Sequence, residues 1–254
     1  MSNAEELVGK HAVVTGGGRG IGAAIASELS RCGARVTLIG RDEETLAAHA
    51  ATLPSSTAWK SVDVTDHEAV VAAFEAIGTV DILINNAGSA PSAPFARLSV
   101  EDWRHTQSIN LDAVFYCTQQ VIGSMLANDY GRIINIASTS SMKGYAYVAA
   151  YCAAKHGVLG LTRALAVEYA RKNITVNAVC PGFTETDLLT GAIDNIMQST
   201  GRDEDKARAA LYASNPQQRF IQPQEVASTV AWLLHSQSSS VTGQAIAVCG
   251  GEVM

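Results

Sequence analysis

Short apolar runs alternate with helix-length stretches along almost the whole chain. Runs that are apolar at nearly every position are typical of strands buried on both faces, as in a parallel sheet covered by helices. The repeated pattern therefore predicts an α/β fold, a Rossmann fold with a doubly wound parallel sheet and helices on both faces. The runs occupy residues 12–14, 36–39, 82–84, 133–137, 174–176 and 245–248.

Helix boundaries support the same interpretation. Thr65-Asp66-His67-Glu68 matches a capping box, which predicts a helix running to Ile77. No linker, low-complexity tract or repeat divides the 254 residues, of which 47% are hydrophobic. That is enough for one continuous core, so we predict a single domain over residues 1–254.

One segment, residues 185–219, interrupts the alternation. It is polar, weakly periodic and carries the charged run at residues 202–206. Its composition fits a solvated surface excursion. Its position after a strand end fits a mobile lid, because ligands of open α/β sheets bind at the carboxyl ends of the strands. As a lid, it would line the substrate site with Phe183, Leu188, Leu189 and Tyr212.

Composition excludes several classes of function. The formal net charge is −6 and no run of Lys and Arg occurs, so nucleic acid is not an expected partner. No apolar stretch approaches the roughly 18 residues that span a bilayer, and residues 1–10 do not resemble a signal peptide. We therefore expect a cytoplasmic protein. The five cysteines lack a C-x-x-C pair and the six histidines are scattered, so we expect neither disulfides nor a metal site.

A glycine-rich loop follows the first predicted strand and precedes a helical stretch over residues 23–30. Its sequence is Thr15-Gly16-Gly17-Gly18-Arg19-Gly20-Ile21-Gly22. Glycines let backbone N–H groups approach a pyrophosphate at the positive end of a helix. A glycine-rich turn alone is weak support, because glycine commonly turns a chain. The order of strand, loop and helix here predicts a dinucleotide site.

The spacing of these glycines resembles that of the short-chain dehydrogenase/reductase family. Asn85-Asn86-Ala87-Gly88 after the fourth strand and Tyr151-Cys152-Ala153-Ala154-Lys155 extend the resemblance over nearly the whole chain. By this resemblance the chain binds a nicotinamide dinucleotide, and Asp63 and Val64, ending the third strand, contact adenine. Asp63 is equally interpretable as a turn residue. The other implied cofactor contacts are Thr15, Gly16, Gly18, Arg19, Gly20, Ile21, Gly22, Asn86, Ala87, Gly88, Tyr151, Lys155, Pro181, Gly182, Thr184 and Thr186.

Tyr151 and Lys155 are candidate catalytic residues. Four residues apart on a helix, they project from the same face, and an adjacent cation favours the phenolate of a tyrosine. Tyr151 would then exchange a proton with the substrate oxygen. Tyr145 and Tyr147 have no lysine four residues on and are interpreted as pocket lining or packing, and Cys152 as a small core residue.

The resemblance implies two further catalytic residues. Ser138, thirteen residues before Tyr151, matches the family's serine, which would hydrogen-bond the substrate oxygen. Ser140 is the nearest alternative. Asn110 matches the asparagine that in the family holds a water against the lysine.

The end of the second strand predicts the choice of cofactor. NAD-specific relatives usually have an acidic residue there, whereas this chain has Gly40 followed by Arg41. Arg41 and Arg19 could converge on the 2′-phosphate of NADP(H). Alternatively, Arg41 pairs with the acidic residues at 42–44 and Arg19 is solvated. We expect NADP(H), with NAD(H) as the alternative.

These features together predict an oxidoreductase. Residues 179–183 and Cys249-Gly250-Gly251 resemble 3-oxoacyl thioester reductases and aromatic polyketide ketoreductases. The leading hypothesis is NADPH-dependent reduction of a small-molecule ketone, including CoA or carrier-protein thioesters. The alternatives are an NAD-dependent dehydrogenase of a 3-hydroxyacyl-CoA or small secondary alcohol, and a cofactor-binding regulator without turnover.

Gly157, Gly160 and Ala164 recur at spacings of three and four residues. They would form a smooth helix face suited either to packing within the chain or to pairing with another copy. Since family members often pair at this helix, we predict a symmetric homotetramer.

Overall fold

The computed structural model describes residues 6–54 and 57–254. Residues 1–5, half of the stretch considered above for a signal peptide, lie outside this part. The described chain forms one seven-stranded sheet in the order β3-β2-β1-β4-β5-β6-β7, with every neighbouring pair parallel. The predicted doubly wound fold is confirmed. The strands are β1 (His11–Thr15), β2 (Arg35–Gly40), β3 (Ala58–Ser61), β4 (Ile82–Asn85), β5 (Gly131–Ile136), β6 (Ile174–Pro181) and β7 (Ala245–Val248).

Helices cover both faces of the sheet. Within the described residues they are α1 (Gly20–Arg31), α2 (Glu43–Ala50), α3 (His67–Ile77), α4 (Val100–Gln107), α5 (Ala113–Ala127), α6 (Ala149–Glu168), α7 (Asp187–Thr200), α8 (Glu204–Tyr212) and α9 (Pro223–Leu234). A π-helical turn at Ser108–Asp112 joins α4 to α5. Single 3₁₀ turns occur at Phe95–Arg97, Thr139–Ser141 and Ser236–Ser238. No helix in the part of the chain described here has both the length and the apolar character to cross a membrane.

The core divides into two main layers because successive strand residues point to opposite faces. Val14 packs with Ile25 of α1 and Val230 of α9, whereas its neighbour Val13 packs in the layer that holds Val121 of α5. Burying each such side chain contributes about 1.5–3 kcal/mol to folding. The continuous burial of the central strands explains their apolar sequences.

Two predicted boundaries are wrong. Strand β3 ends at Ser61, so Asp63 and Val64 lie beyond it in a turn, where the Asp63 carboxylate accepts hydrogen bonds from the Thr65 N–H and hydroxyl. The Thr65 hydroxyl is therefore engaged by Asp63. The N-cap of α3 is Asp66, whose side chain accepts a hydrogen bond from the Ala69 N–H. Aspartate is as good an N-cap as threonine. The prediction of a capping box at residues 65–68 therefore placed the start of the helix one residue too early.

The excursion at residues 185–219 is more regular than its sequence indicates. It contains α7 and α8, which pack on a small apolar cluster of their own. The chain leaves and returns at adjacent points, since Thr184 and Ile221 form a parallel bridge. Leu189 is buried inside this cluster, which removes it from the candidate substrate-lining residues, whereas Leu188 is exposed.

Candidate active site

The chain reverses its direction of winding between β1 and β4, which are neighbours in the sheet. The loops that leave their carboxyl ends diverge there and open a crevice, the usual ligand site of an open α/β sheet. The glycine-rich loop follows β1, and the segment Asn86-Ala87-Gly88 follows β4. The sequence-predicted dinucleotide motifs thus lie side by side.

Thr15 joins these two loops. Its hydroxyl accepts hydrogen bonds from the backbone N–H groups of Asn86 (3.0 Å) and Ala87 (3.1 Å) and lies 3.4 Å from the carbonyl oxygen of Ile84. The Asn86 side chain returns hydrogen bonds to the carbonyl oxygens of Thr15 and Gly16. The Thr15 hydroxyl is already hydrogen-bonded within the chain, and Thr15 is only 2% exposed. Thr15 therefore holds the two loops together and does not line the crevice.

Glycine is required at two positions of the loop. Gly16 has a φ of +64°, a conformation that other residues adopt with strain. A β-carbon on Gly22 would collide with the backbone of Gly16, so the start of α1 can approach the loop only without a side chain.

The N-terminus of α1 is open to an anion. Its N-cap residue Arg19 provides no side-chain cap, and no acidic residue occurs in the first turn. The free N–H groups and the helix dipole therefore point positive charge at the loop. This arrangement fits the pyrophosphate of a dinucleotide. Ile21 contributes by packing against the core layer beneath α1.

The predicted adenosine end lies at Gly40, Arg41 and Asp63. The three atoms nearest to a β-carbon on Gly40 all belong to the side chain of Leu46, at ordinary contact distances of 3.4–3.7 Å. Burial tends to raise the pKa of Asp63, but the Thr65 donors and the Arg41 charge outweigh it and the pKa is lowered. Val64 is buried in the core, which leaves only its backbone for a ligand.

Arg41 and Arg19 differ in their surroundings. Asp42, the nearest acidic residue to Arg41, uses its carboxylate to cap α2 at the Thr45 N–H, 2.9 Å away. Among the described residues Arg41 forms no ion pair. Arg19 lies 3.4 Å from Asp187 of α7, in a pair whose side chains are 74% and 77% exposed. Exposed pairs of this kind contribute about 0–1 kcal/mol, so both guanidinium groups are available to a phosphate.

Ser138 follows β5 and caps the 3₁₀ turn after it. Its hydroxyl accepts from the Ser140 N–H at 3.1 Å, and its own N–H donates to the Ser141 hydroxyl at 3.2 Å. The Ser138 side chain is close enough to Tyr151 to oppose the rise in the pKa of its phenol that burial causes. This proximity favours Ser138 over Ser140 as the predicted serine.

Burial dominates the titration of Tyr151 and Lys155. It raises the pKa of Tyr151 to about 12, against a smaller lowering by the Ser138 hydrogen bond. It lowers the pKa of Lys155 to about 8. The net direction for Tyr151 is therefore opposite to the lowering of its pKa expected from a neighbouring lysine, because burial outweighs the lowering contribution. The Lys155 ammonium lies 5.7 Å from the centre of the Tyr151 ring and donates to the Ile136 carbonyl oxygen at 2.8 Å.

Asn110 lies in the π-helical turn and is fully buried. Its amide donates to the carbonyl oxygens of Ser89 and Thr106, and its Oδ1 accepts from the Ser89 N–H at 3.3 Å. A β-carbon on Gly88 would lie 2.7 Å from Asn110 Oδ1 and 3.7 Å from Lys155 Nζ. The glycine thus leaves a gap between the asparagine and the lysine.

The segment after β6 closes the crevice on its other side. Pro181 ends β6, and the Thr184 and Thr186 hydroxyls donate to the carbonyl oxygens of Gly182 and Thr184. The Thr186 methyl group would contact a β-carbon on Gly20 at 3.2 Å, so this segment approaches the glycine loop closely. The predicted nicotinamide contacts and the pyrophosphate loop therefore face one crevice.

The structure adds one residue that sequence reasoning missed. Glu252, near the end of the chain, has a side chain that is 2% exposed and contacts Tyr145. Glu252 belongs to no recognisable motif. The one sequence feature that could have indicated it is a carboxylate in the tail that follows an apolar strand. In the described residues, no three His, Cys, Asp or Glu side chains cluster as metal ligands do.

Comparison with known proteins gives consistent matches. The model of the family described as short chain dehydrogenase matches residues 10–196. A putative ketoacyl reductase of the granaticin polyketide synthase from Streptomyces violaceoruber is 41% identical over 249 residues, covering 94% of this chain and 92% of that protein. The 3-oxoacyl-[acyl-carrier-protein] reductase FabG of Vibrio cholerae is 38% identical over 252 residues, covering 98% and 99%.

Two solved structures are similar throughout their length. A variant of actinorhodin polyketide ketoreductase with one phenylalanine replaced by tryptophan, solved with NADPH, superposes with a TM-score of 0.92 at 38% identity, covering 99% of this chain and 98% of that one. A putative gluconate dehydrogenase from Agrobacterium tumefaciens superposes with a TM-score of 0.89 at 35% identity, covering 98% of both chains.

Proposed function

Because this chain belongs to the short-chain dehydrogenase family, whose members are NAD(P)-dependent oxidoreductases, we propose that it uses NADPH to reduce a ketone. The proposed substrates are 3-oxoacyl thioesters, on CoA or a carrier protein, and polyketide-type ketones. The observation that carries the proposal is the convergence of Ser138, Tyr151, Lys155 and Asn110 on one crevice beside the glycine loop. Relatives named as ketoacyl reductases support the substrate class.

Each of these residues has a distinct role in the proposed reaction. The nicotinamide, when bound, supplies a hydride to the carbonyl carbon. Tyr151 donates its proton to the carbonyl oxygen, because its raised pKa keeps the phenol protonated at neutral pH. Ser138 donates a hydrogen bond to the same oxygen as negative charge develops there. The Lys155 ammonium stabilises the phenolate left on Tyr151, and Asn110 orients the proton path beside the lysine.

The remaining cofactor contacts are also proposals. Gly16, Gly18, Gly20 and Gly22, with the free N–H groups of α1, would hold the pyrophosphate, while Pro181, Gly182, Thr184 and Thr186 would hold the nicotinamide. Asn86, Ala87 and Gly88 would line the floor between them. We propose Arg41 and Arg19 as ligands of the 2′-phosphate.

The cofactor preference has a direct test. A charge-assisted hydrogen bond contributes about 1.5–3 kcal/mol, so NADPH should be favoured over NADH by roughly one to two orders of magnitude per effective arginine. The measurement is kcat/KM for both cofactors in the native protein and in Gly40→Asp/Arg41→Ala. The space beside Gly40 admits a β-carbon at ordinary contact distances, so the double variant should fold and shift towards NADH. A native preference for NADH, or no shift, would support the NAD-dependent alternative instead.

The substrate class is tested with a panel of acyl thioesters, bicyclic ketones and secondary alcohols, followed by cofactor absorbance. We expect oxidation of NADPH with acetoacetyl-CoA or with a bicyclic ketone. Turnover of secondary alcohols alone would favour the dehydrogenase alternative. Tight NADPH binding with no turnover on any substrate would favour the non-catalytic regulator.

We also propose a homotetramer in the cytoplasm. All five cysteines are free thiols, and four of them are buried, which is typical of a protein from a reducing compartment. Two exposed apolar faces support the assembly. One lies on α6 at Gly160 and Ala164, and the other is formed by Phe95, Val100 and Trp103.

A further inference from the structure

A buried carboxylate lies beside the active site without a role in the proposed reaction. The Glu252 side chain is 2% exposed, and its Oε1 atom contacts three donors. These are the Tyr145 hydroxyl at 2.8 Å, the Ser214 hydroxyl at 2.6 Å and the Lys143 ammonium at 3.1 Å. A carboxylate oxygen taken out of water needs such donors, and charge-assisted hydrogen bonds of this kind are strong.

The three donors come from two separate segments around the crevice. Lys143 and Tyr145 lie in the loop that runs from Ser138 to Tyr151, while Ser214 lies at the end of the excursion, just after α8. The other carboxylate oxygen, Oε2, would be 3.3 Å from a β-carbon on Gly182, in the proposed nicotinamide segment. One side chain from the C-terminal tail therefore contacts two segments around the crevice, and it lies beside Gly182 without a hydrogen bond to it.

Tyr145 connects this carboxylate to Ser138. The Tyr145 hydroxyl is 2.7 Å from the Thr139 hydroxyl, and Thr139 is adjacent to Ser138. Since the phenol has one hydrogen, it donates to Glu252 and accepts from Thr139. Its ring packs edge-on against Phe183, with 6.4 Å between ring centres. Burial and the side chain of Glu252 raise the pKa of Tyr145 by more than the Thr139 hydroxyl lowers it, so the Tyr145 hydroxyl remains a donor.

The tail has contacts of its own besides those of Glu252. Asn215 packs closely against Gly250, which has a φ of +63°, and Pro216 packs against Gly251. The Cys249 sulfur accepts a hydrogen bond from the Val253 N–H at 3.4 Å. A residue needed only to attach the tail would duplicate these contacts. The Glu252 contacts are made instead with the loop before Tyr151 and with the end of the excursion.

We propose that Glu252 is a positioning residue for the ketone. It acts through Tyr145, fixing the wall beside Ser138 and coupling that wall to the end of the excursion at Ser214. It sets the affinity and the orientation of the ketone, and it leaves NADPH binding unchanged. This inference rests on the proposed function and adds a residue that governs substrate specificity at the same site.

The test compares Glu252→Ala, Glu252→Gln, Tyr145→Phe and the double variant Glu252→Ala/Tyr145→Phe, with acetoacetyl-CoA and trans-1-decalone as ketones. Removing the contact should raise KM about tenfold while kcat and the Kd for NADPH change by less than about threefold. Glu252→Gln keeps an acceptor and should restore part of the affinity. Because Glu252 acts through Tyr145, the double variant should resemble the single variants rather than multiply their effects.

A matched control is Glu225→Gln. Glu225 forms a two-point ion pair with Arg219 at 2.7 Å and caps α9, so its loss should lower the melting temperature without raising KM. Chiral chromatography of the decalol product adds a readout that a stabilising role would not alter. We expect Glu252→Ala to change the isomer ratio and Glu225→Gln to preserve it. Multiplicative KM effects, an unchanged KM, or equal losses of ketone and NADPH affinity would each overturn the proposal.

Hydrogen exchange of the apoenzyme separates this inference from the proposed function. If the native protein reduces neither ketone, the proposed function fails, but the coupling is still measurable. Glu252→Ala should then speed exchange in residues 143–147 and 212–216 together, while residues 11–40 exchange as in the native protein. Faster exchange in only one of these segments, or in neither, would overturn the coupling whatever the activity.

Discussion

At the scale of single residues, the proposed chemistry depends on which groups hold protons at neutral pH. Burial raises the pKa of Tyr151 to about 12 and lowers that of Lys155 to about 8, so the phenol and the ammonium are both protonated at pH 7. As pH rises, the lysine loses its proton first. We therefore expect kcat/KM for ketone reduction to be level near pH 7 and to fall above about pH 8. A profile that stays level at alkaline pH would contradict a requirement for the ammonium.

Removing the proton donor gives the matching test by mutation. Tyr151→Phe keeps the ring and loses the hydroxyl, so turnover should fall by at least about 10²-fold, the usual contribution of general acid catalysis. The Kd for NADPH, measured by fluorescence, should stay nearly unchanged. Tyr147→Phe is the control, because Tyr147 is 66% exposed and lies four residues from Tyr151. Near-native activity in Tyr151→Phe would remove the tyrosine from the mechanism.

At the scale of elements, His11 on β1 makes the stability of the sheet depend on pH. It is buried, with Nδ1 2.7 Å from the Thr79 carbonyl oxygen and Nε2 2.8 Å from the Thr37 hydroxyl. Burial lowers its pKa, with a smaller lowering by Arg35 and opposing contributions from Thr79 and Asp81. The unfolded chain therefore takes up a proton below about pH 6.5 that the folded state resists, and stability falls as pH decreases.

The free energy of unfolding should fall by at most about 1.4 kcal/mol per pH unit through His11. Thermal unfolding of the native protein and of His11→Gln between about pH 5 and 7 measures it, because contributions from the other histidines are common to both proteins. The native protein should lose more stability over this range. Parallel curves would show that His11 does not titrate on unfolding.

The excursion formed by α7 and α8 is the second element with a testable property. Its polar links to the rest of the crevice include the Asn195 amide donating to the Ser92 hydroxyl at 2.8 Å and the exposed pair of Arg19 with Asp187. Exposed contacts are weak, so the closed position should be only marginally favoured. We expect hydrogen exchange in residues 187–212 to slow when NADPH and a ketone analogue bind, and to quicken in Asn195→Ala. Identical protection in all states would make the excursion a static part of the surface.

Sequence reasoning succeeded where function depends on local order along the chain. The apolar strands, the loop with Gly16 and Gly22, and the helical spacing of Tyr151 and Lys155 are all local patterns, and the structure brings them together. It failed where the outcome depends on competition between distant groups. The pKa of Tyr151 follows from burial that no spacing reveals, and the helices α7 and α8 are stabilised by a cluster that includes Phe220 from outside them. The sequence did not predict a role for Glu252 for the same reason. Its partners Lys143, Tyr145 and Ser214 are far from it along the chain.

At the scale of the whole molecule, two exposed apolar faces bear on assembly. On α6, Gly157 packs against Leu111 of its own chain, so packing within the chain accounts for that glycine. Gly160 and Ala164 remain exposed, and Val167, one turn further on, is 79% exposed. The second face is formed by Phe95, Val100 and Trp103, exposed by 75%, 58% and 38%.

Small residues such as Gly160 and Ala164 let a second helix approach closely, and clustered exposed apolar side chains mark interfaces. If each of the two faces pairs with its own copy across a two-fold axis, the chain forms a closed tetramer with three two-fold axes. Sedimentation equilibrium at micromolar concentration should therefore give four times the chain mass. Ala164→Arg should shift the native protein to a smaller species, whereas Ala48→Arg, on the exposed side of α2, should leave the mass unchanged. A monomeric mass for the native protein, or the same mass for Ala164→Arg as for Ala48→Arg, would exclude assembly through the α6 face.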